Sequence, residues 1–82
     1  MNMQKYKLEI LSYNQPVLIG RFMLIFSRRR VDVTDFYYKN INDTDGLFTI
    51  EFNSEEWAAQ NLEKQCNKHI DIFEAKLVSI IK

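Results

Sequence analysis

The stretch NQPVLIGRFMLIFSRRRVDV, Asn14–Val33, decides how the rest of this chain folds. It reads as a tight loop, an amphipathic helix opened by proline, a basic last turn, and entry into a β-branched strand. Asn14 or Gln15 can supply the N-cap, and Pro16 suits the first helical position, where a missing N–H costs nothing. Ile19, Phe22, Met23 and Phe26 fall at i, i+3, i+4 and i+7, one apolar helix face. Arg28, Arg29 and Arg30 place positive charge at the negative end of the helix dipole.

The segments around this helix are strand-like. Upstream, YKLEILSY (Tyr6–Tyr13) alternates, with Tyr6, Leu8 and Ile10 on one face and Lys7 and Glu9 on the other; Leu11 departs from the pattern. Downstream, DVTDFYYKNI (Asp32–Ile41) is β-branched and aromatic. Its apolar positions change parity after Val33, which predicts a β-bulge near Thr34 and Asp35. NDTDG (Asn42–Gly46) is a hairpin turn, with Asp45-Gly46 expected to accept positive φ, and LFTIEF (Leu47–Phe52) alternates again with Phe48, Ile50 and Phe52 inward. Asn53 or Ser54 is the expected cap of a second helix, whose buried stripe is Ala59, Leu62, Cys66 and His69. A last strand follows from about Ile70 to Ile81. The order βαββαβ predicts an α+β, ferredoxin-like single domain over residues 1–82, a four-stranded antiparallel sheet with both helices on one face.

Two runs give the pattern a family likeness. Asn14, Ile19, Arg21, Phe22, Ile25, Phe26, Ser27, Arg29 and Val33 fit, without a gap, the loop-and-helix opening of one regulatory domain, and LEKQCNKHIDIFEA (Leu62–Ala75) fits its C-terminal helix. In both, the chain resembles the ACT domain of the small regulatory subunits of acetolactate (acetohydroxyacid) synthase. The resemblance implies a non-catalytic regulatory chain without a cofactor. Such a chain forms a homodimer, binds and activates the catalytic large subunit, and confers feedback inhibition by valine or a related branched-chain amino acid. A stand-alone amino-acid sensor, or an effector-blind ACT domain serving another enzyme, is the alternative. Carried over residue by residue, Asn14 and Ile19 match family positions at the effector loop. Val17 replaces the loop glycine, Asp32 an asparagine, and Arg30 the glycine after the basic turn.

The residues support an effector site at that loop on physical grounds as well. A strand feeding a helix N-terminus exposes unpaired N–H groups and the positive dipole end, which together hold a carboxylate without a basic side chain. The candidate effector-binding residues are therefore Asn14, Gln15, Val17, Leu18, Ile19 and Asp32. Val17 and Leu24, seven residues apart on the otherwise polar side of the helix with Gly20 and Arg21, have no place in a monomer core; Val17, Arg21 and Leu24 are the expected dimer interface. Leu11, Tyr13, Leu47 and one of Tyr37 and Tyr38 add apolar surface to the sheet face without helices.

Composition narrows the remaining classes. Eleven basic and eleven acidic residues cancel, whereas a nucleic-acid-binding domain carries a basic excess. Forty-six per cent hydrophobic residues in 82 is a large apolar load for so small a domain and points to a partner surface. The lone Cys66 has no disulfide partner and, placed on a helix stripe, reads as a core residue. The single His69 leaves no exposed base for a nucleophile, and two ligands do not make a zinc site, so neither catalytic nor metal-binding residues are assigned. An EF-hand loop at DTDG fails because Ile41 and Phe52 would occupy ligand positions one and twelve. The N-terminal MNMQKYK has no signal-type apolar run and Phe22–Phe26 is too short to span a bilayer, so no membrane association and a cytoplasmic location are expected.

Overall fold

The computed structural model describes residues 3–13, 17–29, 31–70 and 72–80. Six elements follow in order: β1 (Gln4–Tyr13), α1 (Val17–Arg28), β2 (Asp32–Asn40), β3 (Asp45–Ser54), α2 (Glu56–Asn67) and β4 (Ile72–Ser79). The strands form one sheet in the order β2-β3-β1-β4, and every neighbouring pair is antiparallel. The βαββαβ, ferredoxin-like expectation holds. The expected cap and first turn at Asn14, Gln15 and Pro16, like Arg30, lie outside the described residues.

Period-two alternation sorts the sheet into two faces. Tyr6, Leu8 and Ile10 of β1 and Phe48, Ile50 and Phe52 of β3 are buried beneath the helices, as the pattern required. Ser12 continues the same face at 0% exposure, so Leu11 does not interrupt the alternation after all. From α1, Phe22 meets Phe48 edge-on at 4.7 Å and Phe26 meets Phe52 at 5.5 Å, which seats this helix over β3. α2 seats over β4, and its Ala59, Leu62 and Cys66 complete the same core. The β2 bulge falls at Thr34, between Val33 and Asp35, and Tyr37 turns outward while Tyr38 packs on Phe48.

Three local expectations give way. The buried stripe of α1 is Leu18, Phe22 and Phe26 with Ile25 beside it, and Met23 is 57% exposed. Successive residues turn by about 100°, so a stripe centred on Phe22 and Phe26 leaves Met23 on the flank. Gly46 has no positive φ; it is a β3 residue. The turn is built instead by Asn42, whose Oδ1 accepts the N–H groups of Thr44 and Asp45, both at 2.9 Å. A Cβ at Gly46 would lie 2.6 Å from the Tyr38 ring, so a larger residue there makes that ring shift. Finally, α2 is capped by Glu55 rather than Asn53 or Ser54, and the Glu55 side chain accepts no main-chain N–H of the helix. The Glu55 carboxylate accepts the indole N–H of Trp57 instead of a first-turn main-chain N–H.

Candidate functional site

The effector loop joins the end of β1 to the start of α1. Tyr13, the last residue of β1, pairs with Asp45 and stacks edge-on with Phe73 at 4.5 Å. α1 is described from Val17, and the first turn of a helix presents main-chain N–H groups and the positive end of its dipole, so this end of α1 is a donor-rich rim. Around that rim the side chains differ. Val17 is 57% exposed, Ile19 half-buried, and Leu18 fully buried, so Leu18 is available to a ligand only through its main chain. Asn14 and Gln15 lie outside the described residues.

Asp32 is not at this rim. It opens β2 opposite Asn53, at the end of the sheet where β1 starts, and Asn53 donates an amide hydrogen bond to it at 3.4 Å. Tyr13 sits opposite Asp45, eight residues along β3, or roughly 25 Å at strand rise. Within one chain, Asp32 and the loop are therefore at opposite ends of the sheet. Sequence proximity hid this, because α1 spans the sheet between them.

Of the interface residues, Leu24 is 51% exposed on the outer side of α1, where Val17 also lies. Arg21 faces the C-terminal end of α2, with its guanidinium 3.5 Å from the ring of His69, which lies past the end of that helix and is half-buried, not on the buried stripe where its spacing placed it. The opposite flank of α1 carries Met23 and looks over the open edge of β2. There Met23, Phe26, Ser27, Val31, Val33 and Phe36 line an apolar trough of about 260 Å³. The α1 pattern alone does not mark this trough, because it needs β2 to be the edge strand beside that helix.

Cys66 is a core residue, and burial pushes its thiol up to about 11. At pH 8 only about a thousandth of such a thiol is ionised, so an alkylating reagent is expected to modify Cys66 only as fast as the protein unfolds. The folded state holds this proton more tightly than the unfolded chain. Stability contributed by the neutral thiol is thus present in full below pH 9 and is expected to fall as pH rises from about 9 toward 11. Urea titrations at pH 8 and pH 10.5, with Cys66→Ser as the control, check this sign. No cluster of three or more His, Cys, Asp or Glu side chains able to hold a metal occurs among the described residues, and no described helix is long and apolar enough to cross a membrane.

Solved structures with this architecture include ACT domains. The chain superposes on the ACT domain of GTP pyrophosphokinase from Chlorobium tepidum with a TM-score of 0.79 at 11% identity, covering 99% of this chain and 92% of that one. The fold is ACT-like. The C-terminal domain of the MgtC protein from Mycobacterium tuberculosis matches with a TM-score of 0.77 at 8% identity over 95% of this chain and 88% of that domain. A homoserine dehydrogenase from Thiobacillus denitrificans contains a similar unit, with a TM-score of 0.79 at 7% identity over 99% of this chain and 18% of the dehydrogenase. No protein-family model matches the sequence. No curated protein matches it either.

Proposed function

We propose that this chain is a non-catalytic regulatory ACT-like domain that works as a homodimer, senses a small amino acid, and passes that signal to an enzyme. The observation that carries this reading is the exposed first turn of α1 at the rim of the sheet, on a fold also found in ACT domains. Its main-chain N–H groups suit the effector carboxylate, and an acidic side chain suits the ammonium group. On this reading the acidic group comes from a second copy, since Asp32 of the same chain stands at the other end of the sheet. Effector binding then favours one arrangement of the pair, and the enzyme reads that arrangement; the linkage is a coupling free energy between two sites.

The finer assignment is the small subunit of acetolactate synthase, acting on its catalytic subunit with a branched-chain amino acid as effector. It rests on the residue matches from Asn14 to Val33 and from Leu62 to Ala75. Val17 at the loop's glycine position favours a second reading, an effector-blind scaffold, since a side chain there holds a ligand away from the main chain. Calorimetric titration with valine, leucine and isoleucine separates these. The sensor reading expects one of them to bind with a dissociation constant below about 1 mM. Absence of heat, together with co-purification of the synthase catalytic chain, selects the scaffold; absence of both overturns the assignment.

A further inference from the structure

The helix layer sorts its charges. α1 lies over β3 and α2 over β4, so a groove runs between them above β1. α1 has no acidic residue, and its Arg21 and Arg28, seven residues apart, share the flank toward α2. On α2, Glu56 and Glu63 are also seven apart and share the opposite flank, where the Glu63 carboxylate accepts the Leu77 N–H of β4 at 2.7 Å. The groove is thus left with cations. Arg21 stands beside His69 at one end, and Arg28 and Arg29 stand at the other. Among the described residues, neither Arg28 nor Arg29 has a carboxylate partner. Lys64 and Lys68 are exposed on the outer side of α2 and just past its end. The zero net charge of the whole chain hides this, because the hairpin of β2 and β3 holds Asp32, Asp35, Asp43, Asp45 and Glu51 against Lys39 alone.

Apolar surface lies among these cations. Arg28, Arg29, Trp57, Ala58 and Asn61 line a cleft of about 210 Å³ where the end of α1 meets the start of α2. Trp57 is 65% exposed, and Glu55 accepts its indole N–H, so the rest of the ring offers only apolar contact. Leu24, 51% exposed, lies between Arg21 and Arg28 along α1. Exposed tryptophan beside arginine is the composition that concentrates binding energy at protein interfaces. A small anion would meet the guanidiniums and leave Trp57 and Leu24 bare, and a wholly apolar surface would strip water from unpaired cations. A segment with carboxylates and apolar side chains at helical spacing satisfies both. We propose that the α1–α2 groove docks an acidic amphipathic helix of a partner protein. Its apolar side chains cover Trp57 and Leu24, and its carboxylates pair with Arg28 and Arg29. This deepens the regulatory reading above by naming the face that meets the enzyme, and it assigns Arg21 and Leu24 to that partner rather than to a second copy.

Trp57 is the only tryptophan in the sequence, so its fluorescence reports on the groove directly. The probe is a capped peptide of about 18 residues with leucine at i, i+3, i+4 and i+7, glutamate along one flank and glutamine elsewhere. In about 20 mM salt it is expected to shift Trp57 emission to the blue, with a dissociation constant below about 100 µM. In about 0.5 M salt it is expected to bind at least tenfold more weakly. R28E/R29E and N61E, at exposed positions of the cleft, are each expected to weaken binding by about tenfold or more. K76E, on the sheet face away from the helices, is expected to leave it unchanged, with circular dichroism to confirm folding of each variant. No shift with this peptide, or an equal shift with a version carrying lysine for glutamate, overturns the proposal and leaves the sensor reading to its own titration. Pyrophosphate binding as tightly as the peptide makes the cleft an anion site, and emission that moves with protein concentration alone gives the groove to a second copy. Either result also overturns the proposal.

Discussion

Replacing Phe48 by alanine is expected to remove about 3–5 kcal/mol of stability, the range for truncating a buried aromatic in a packed core. Phe48 is fully buried near the middle of β3. Its ring meets Phe22 of α1 at 4.7 Å, Tyr38 at 4.8 Å and Phe36 at 5.9 Å, so it ties α1 to both strands beneath it. Those rings cannot all close onto the vacated space, because each is held by its own strand or helix position. Domains of this size have only about 5–15 kcal/mol in total, so the variant is expected to melt some 15–30 °C lower. Met23→Ala, on the exposed flank of the same helix, is the control at less than about 0.5 kcal/mol within a single copy. Thermal melts at a concentration below association compare the two; similar midpoints for both would contradict the core described here.

The second large effect is expected at Asn67. Asn67→Ala removes the acceptor for the Ala75 N–H, the donor to the Ala75 carbonyl and the 3.0 Å donation to the Glu63 carbonyl. Partly buried main-chain groups left without partners cost about 2–3 kcal/mol in sum. Their exposure also turns β4 into an edge to which another chain can add. The expected result is faster hydrogen exchange at Ala75 together with more self-association than the parent chain shows at the same concentration. Asn67→Asp keeps the acceptor and loses the donor, so its exchange rate is expected to fall between the two. Unchanged exchange at Ala75 in the alanine variant would sink the account of how β4 is protected.

Much of the architecture was legible because the relevant signals are local. Phe48, Ile50 and Phe52 alternate with Thr49 and Glu51, and only one face of a strand can then be buried. The parity change after Val33 announced the Thr34 bulge for the same reason. Local rules failed where two elements compete for one residue. Gly46 suits a turn by its type, yet it serves the Tyr38 ring from the neighbouring strand, a contact absent from any window of consecutive residues. Met23 fits the apolar spacing of its helix as well as Ile25 does, and only the position of the sheet beneath α1 decides which is covered.

The candidate site divides along the same line. A helix start after a strand could be read from Tyr13 to Ile19, because a helix leaves its first donors without an intrahelical partner whatever its sequence. That Asp32 and the loop stand at opposite ends of the sheet could not, since the distance depends on how α1 crosses before β2 begins.

By itself the amino-acid sequence determined the number, kind and order of the elements and the inward face of β1 and β3, because hydrophobic periodicity and turn chemistry act over a few residues. Only the tertiary structure decided that Asn67 and Glu63 bond the outward main-chain groups of β4, and that Asp32 stands at the far end of the sheet from the loop. Those outcomes depend on main-chain directions set by pairing between distant segments, and no local pattern encodes them.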